Sequence, residues 1–202
     1  MPEIASPSAS TLTPAKTARQ RTDTFTSIWM MIAVAMALAT LVAKSRMPQP
    51  LWTMIHLVTL GVLSNGIFQW SWFFARSLAR LSADDPRARR HNTIRVLIFN
   101  AFFASLFVSM WLGWMVGTVI AATGIAAVAA WHGAEMLSVL RERLASRFVV
   151  VVRYYVCSAS FFVLAALLAS FVTVTMFSPS IPEAMVAMRD RLTLAHALSG
   201  VA

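Results

Sequence analysis

Charge is scarce in this chain, and acidic charge most of all. Charged residues make up 12% of the 202 positions, with eight Asp and Glu against seventeen Lys and Arg. A soluble domain is roughly a quarter charged, so the sequence lacks the polar surface that a water-solvated fold of this length needs. Cysteine is limited to Cys157, inside an apolar run. That excludes an intrachain disulfide and any CxxC redox or zinc pair, and Cys157 reads as a small core residue. HExxH, Walker and GxSxG motifs are also missing, which argues against a self-contained soluble enzyme. What the chain has instead is apolar residues, 58% of the total, with a mean hydropathy of +0.70.

These residues fall in blocks long enough to cross a hydrocarbon core of about 30 Å at 1.5 Å per helical residue. Residues 1–24, rich in Ser, Thr, Ala and Pro, read as a disordered tail, and residues 25–202 as the membrane domain. The spans are expected at 25–43, 51–75, 96–114, 117–137 and 148–177. A cleaved signal peptide competes for the first block, but its length and the Leu41 before Ala43 favour an uncleaved anchor. Val96 to Leu137 is too long for one crossing, and the hairpin belongs at Trp111 to Gly117, where glycines permit the turn and tryptophans suit the interface. Trp70, Trp72 and Phe74 fit an aromatic belt. After the break at Ser178 to Pro182, Glu183 to Leu194 reads as a short interfacial helix, and residues 193–202 as an incipient sixth span. The abrupt end suggests a fragment. The fold class is therefore all-α, a polytopic transmembrane helical bundle.

The net charge of +9 would suggest nucleic acid in a soluble protein, but the basic clusters border apolar spans and follow no recognition motif. They follow the positive-inside rule instead. With the N-terminus in the cytoplasm, thirteen of the seventeen basic residues face inward, including the Arg76–Arg95 and Arg141–Arg147 loops. Asp84-Asp85-Pro86 marks a turn in the first of these. Only Lys44, Arg46, Arg189 and Arg191 face outward. The reading is a multi-pass protein of a bacterial inner membrane, with the lipid bilayer as its first partner. Ala122, Ala126, Ala130 and Ala134, flanked by Gly117, Ala121, Ala129 and Gly133, form a small-residue face that marks the fourth span as a central packing helix.

Polar side chains inside spans need a partner or a purpose. Asn65 and Asn100 are read as interhelical glue, and Arg153-Tyr154-Tyr155 as an interfacial anchor. His91 belongs to the basic loop and reads as solvated, while His132 lies near the cytoplasmic end of the fourth span. His56 in the first turns of the second span and His196 near the start of the sixth share the outer depth. Two histidines at one depth on different helices are candidate axial ligands for a haem b, because each imidazole offers a strong nitrogen donor and a bundle supplies a dry cavity. An interfacial role, bonded to a hydroxyl or water, is the alternative.

His56-Leu57-Val58-Thr59-Leu60-Gly61, followed by Asn65, Trp70, Trp72 and Phe74, carries a family resemblance, as do Arg153-Tyr154-Tyr155 and Ala195-His196-Ala197 with Gly200. Over roughly residues 25–202 the chain resembles the membrane-embedded N-terminal region of bacterial multicopper oxidases of the copper nitrite reductase type. It is also distantly similar to haem–copper membrane proteins of the nitric-oxide response. The resemblance implies that His56 and His196 begin related segments on two helices, and it strengthens the haem reading. The chain departs from that family in lacking cupredoxin domains, whose blue-copper sites need His, Cys and usually Met on a β-sandwich. No copper site is expected here, and catalysis would rest with a redox or cupredoxin partner. Two readings remain: a haem-binding or electron-transfer membrane module, and a non-catalytic anchor or assembly scaffold. A small transporter is disfavoured, because no pair of broken helices or buried carboxylates is evident.

Overall fold

A computed structural model describes residues 14–78, 80, 90–142, 149–178 and 180–201. Among these residues every regular element is helical. The helices are α1 (Pro14–Ala43), α2 (Pro50–Leu78), α3 (Asn92–Trp111), α4 (Met115–Glu142), α5 (Val149–Phe177) and α6 (Glu183–Val201). Five of them, α1 to α5, contain stretches long and apolar enough to span a bilayer. Helices satisfy every backbone donor and acceptor within the segment, which is why a chain this apolar adopts them.

Neighbouring helices run antiparallel, as their cross-contacts show. Gly61 and Gln69 of α2 meet Ala33 and Asp23 of α1. Thr53 and Asn65 of α2 meet Trp111 and Asn100 of α3. Thr123 and Gly133 of α4 meet Ser170 and Ala159 of α5. The tight turn Leu112 to Trp114 joins α3 to α4, with Gly113 at φ 65°, a left-handed conformation that a Cβ disfavours. The turns α1–α2, α3–α4 and α5–α6 thus gather at one end of the bundle, and the helix ends at Leu78, Asn92, Glu142 and Val149 at the other.

The expected spans are present, but with shifted borders. Helix α1 starts at Pro14, so the tail read as disordered is helical from that residue; residues 1–13 lie outside the described residues, as does the Asp84-Asp85-Pro86 turn. Helix α3 starts at Asn92 rather than Val96, which draws Arg95 out of the basic loop and into the bundle, where it is 2% exposed. The last segment is one helix from Glu183, not an interfacial helix followed by a new span. Helix periodicity carries through the charged residues Arg189, Asp190 and Arg191 because α6 packs along α5.

Packing sorts the small-residue face of α4. Ala121, Ala122, Ala126 and Ala129 are buried between α3 and α5, and Ile125 with them, whereas Ala130 and Ala134 are exposed. Helix α4 is central, as its composition indicates, but the contact stripe leaves the every-fourth-residue line partway along. Trp72 is not part of an exposed belt: it is 2% exposed, while Trp70 and Phe74 remain outside. Cys157 is exposed on α5 rather than in the core.

One irregularity interrupts the bundle. Within α2, Leu57–Ser64 winds as a π-helix, bracketed by α-helix on both sides. Side chains follow the wider winding, since Ser64 Oγ donates to the Thr59 carbonyl at 2.9 Å and Asn65 Nδ2 to the Leu60 carbonyl at 3.2 Å, both five residues back. At its centre Gly61 lets α1 approach, for a Cβ there would stand 2.6 Å from Ala33 Cβ. Such segments often mark functional positions, and this one begins immediately after His56.

Candidate functional site

His56 lies two turns into α2, on the last regular α-helical turn before the π segment. Its Nδ1 sits 2.8 Å from the Trp52 carbonyl oxygen. A carbonyl only accepts, so Nδ1 carries a proton, and in the neutral ring the lone pair is on Nε2. Trp52 also stacks on the imidazole, with ring centroids 4.3 Å apart, and packs in turn on Phe107 of α3 at 5.2 Å. The ring is thus held by a hydrogen bond and by an aromatic wall.

His196 reaches the same place from α6. Its Nδ1 lies 2.8 Å from the Ala165 carbonyl of α5, which again assigns the proton to Nδ1 and the lone pair to Nε2. The two imidazoles lie near-parallel, with centroids 6.1 Å apart and planes within 10°. A nitrogen–metal bond of about 2.0 Å puts the metal about 3 Å from its ring centroid, so two imidazoles on one metal have centroids no more than about 6.5 Å apart. The observed separation meets that condition.

The shared depth expected for the two histidines is therefore present, although the route to it differs. His196 is thirteen residues into α6, about 20 Å along its axis, rather than near the start of a span. It is still level with His56 because α6 descends antiparallel to α5, with Arg189 bonded to the Thr175 carbonyl and His196 to that of Ala165. Helix α6 packs chiefly on α5 and not along α2, and the imidazole pair brings α2 and α6 together at this point.

The donor set suits a macrocycle better than a bare ion. Among the described residues no three His, Cys, Asp or Glu side chains gather to hold a metal. A haem brings four equatorial nitrogens and asks the protein for one or two axial ligands. Two imidazoles with Nδ1–H fixed on backbone carbonyls match that demand, because such outer hydrogen bonds set the tautomer and orient the ring.

A second polar cluster lies at the arginine-rich end. His91, read from sequence as solvated, places Nδ1 2.7 Å from Glu135 Oε1, which also accepts from Trp131 Nε1 at 3.1 Å. The buried Arg95 guanidinium lies between Trp72 and Trp131, 4.9 and 5.9 Å from their ring centroids, and donates to Asn92 Oδ1 at 3.1 Å. His132 meets Ser71 Oγ at 3.0 Å and packs edge-on against Phe68. Glu135 falls inside the expected span 117–137 and is buried, so the expectation that no carboxylate is buried there is corrected. Arg95 reads from sequence as part of the basic loop; the signal available was its position directly before Val96, the first residue of the apolar run of α3.

Asn65 and Asn100 form a reciprocal amide pair, each Nδ2 donating to the other's Oδ1 at 3.0 and 2.8 Å. They are the expected glue, with each other as partners. Comparison of the chain with protein-family models, curated proteins and solved structures finds no match.

Proposed function

We propose that this chain is a haem-binding electron-transfer module of a bacterial inner membrane, with His56 and His196 as the two axial ligands. The observation that carries the reading is the imidazole pair: parallel rings from separate helices, 6.1 Å between centroids, both presenting Nε2 lone pairs. The resemblance read from the His56–Gly61 and Ala195–Gly200 segments, to the membrane region of copper nitrite reductase-type oxidases, points to the same two histidines.

In this reading the bound haem b supplies one-electron redox chemistry. The chain's own part is to hold two neutral imidazoles in fixed orientation. Trp52 and Ala165 carbonyls lock the tautomers, and Trp52 and Phe107 wall off one side of the site. Rigid ligands on two helices lower the reorganisation that a change of iron oxidation state would demand. The N-terminus is cytoplasmic, as the arginine distribution favours, and the electron partner is a cupredoxin or other redox protein at the opposite face.

Protein purified in mild detergent from haem-replete cells is expected to show a Soret band that shifts on reduction with dithionite. His56→Ala and His196→Ala should each shift or abolish it. A colourless wild-type preparation that also fails to take up added haem would sink the proposal and leave the anchor reading.

A further inference from the structure

Arg189 is the one strongly basic side chain that shares the inner face of α6 with His196. The two are seven residues apart, two full turns, which places them on one line about 10 Å apart along the axis. Both turn toward α5. His196 donates Nδ1–H to the Ala165 carbonyl, and Arg189 donates from Nη2 to the Thr175 carbonyl. Each keeps a further nitrogen in reserve: Nε2 of His196, and Nε of Arg189, which is buried and has no hydrogen-bond partner. The next residues, Asp190 and Arg191, are exposed and turned away.

Arg189 as a whole is half-buried, but its Nε is covered and unpartnered, and a buried donor without a partner is costly, the more so on a charged group. A group that would meet it is an oxyanion, for which guanidinium geometry is suited. We infer that Arg189 holds a propionate carboxylate of the haem whose iron is bound by His196. The inference rests on the function proposed above. Its geometric basis is separate: one axial position and one carboxylate anchor on the same helix line, two turns apart, comparable to the distance from a porphyrin iron to its propionates. Arg189 is a positioning residue in this scheme, fixing the haem in its plane and neutralising a carboxylate that would otherwise be charged near hydrocarbon.

The full chain in detergent is titrated with haem b and with haem b dimethyl ester, which has the same macrocycle but no carboxylates. Wild type is expected to bind haem b at least tenfold more tightly than the diester. Arg189→Gln should keep the absorption of the His56–His196 pair yet bind the two forms alike, and Arg189→Lys should keep part of the preference. In wild type, resonance Raman propionate modes should also differ from those of Arg189→Gln, a readout that does not depend on activity. Equal binding of acid and ester by wild type overturns the inference and leaves haem ligation standing, and needs no substituted protein to fold. A preference undiminished in Arg189→Gln overturns it as well. If neither form binds wild type, the ligation reading fails and the carboxylate anchor falls with it.

Discussion

At the scale of single residues, the polar groups inside the bundle fall into pairs with distinct work. Asn65 and Asn100 exchange two amide hydrogen bonds across α2 and α3. Replacing either alone by Leu takes from the other its cross-helix partner and leaves its Oδ1 unpaired, while its Nδ2 keeps a backbone carbonyl, so each single change should destabilise more than its share of the double change. A double-mutant cycle in bicelles is expected to give a coupling of about 1 kcal/mol, within the usual range for such bonds in lipid. Glu135 has heavier duties, because His91 and Trp131 both donate to it and Arg95 is buried nearby. Glu135→Ala should lower stability by about 3 kcal/mol, as for removal of one member of a buried charged set. Glu135→Gln, which keeps an acceptor oxygen, should cost less, and unfolding in mixed micelles would measure both.

Asn65, Asn100, His56 and His196 were all legible in sequence as polar groups within apolar blocks. Their partners were only partly so. That two asparagines 35 residues apart meet depends on the register of α2 against α3, which no local pattern encodes. Arg95 was hidden by its neighbours, since a run of arginines ending at position 95 reads as one solvated loop. The helix reaches back to Asn92, and the guanidinium finds Trp72 and Trp131 as flat apolar walls.

At the scale of elements, five apolar helices follow from length and hydropathy alone, and their borders move by a few residues. The π-helical stretch Leu57–Ser64 does not follow from either. It arises where Gly61 admits α1 so closely that a Cβ would stand 2.6 Å from Ala33 Cβ, and where Ser64 and Asn65 bond five residues back. Gly61→Leu should therefore force α1 and α2 apart, lowering stability by about 2 kcal/mol, within the usual range for overpacking. Because the strain falls next to His56, it should also weaken haem uptake at least tenfold. Gly66→Ala, where a Cβ meets only Met30 Cε at 3.6 Å, should leave both nearly unchanged. Helix α6 was misjudged for a related reason: its mixed polarity reads as two pieces, yet continuous packing on α5 makes it one helix.

At the scale of the whole molecule, antiparallel packing collects the helix ends that flank both arginine-rich stretches of sequence at one end of the bundle, and the histidine pair lies toward the other. A fluorescent protein fused within the Arg76–Arg95 connection should fluoresce in cells, and alkaline phosphatase fused at Arg46 should be active. The reverse pattern would invert the orientation proposed here. The helices bring the two imidazoles side by side although α6 packs on α5 and not along α2.

The most direct test of that central geometry is electron paramagnetic resonance of the oxidised, haem-loaded protein. Two neutral imidazoles with planes within 10° predict a low-spin rhombic ferric signal, replaced by a high-spin signal in His196→Ala. A high-spin signal in wild type, or a low-spin one indifferent to both histidines, would contradict the account.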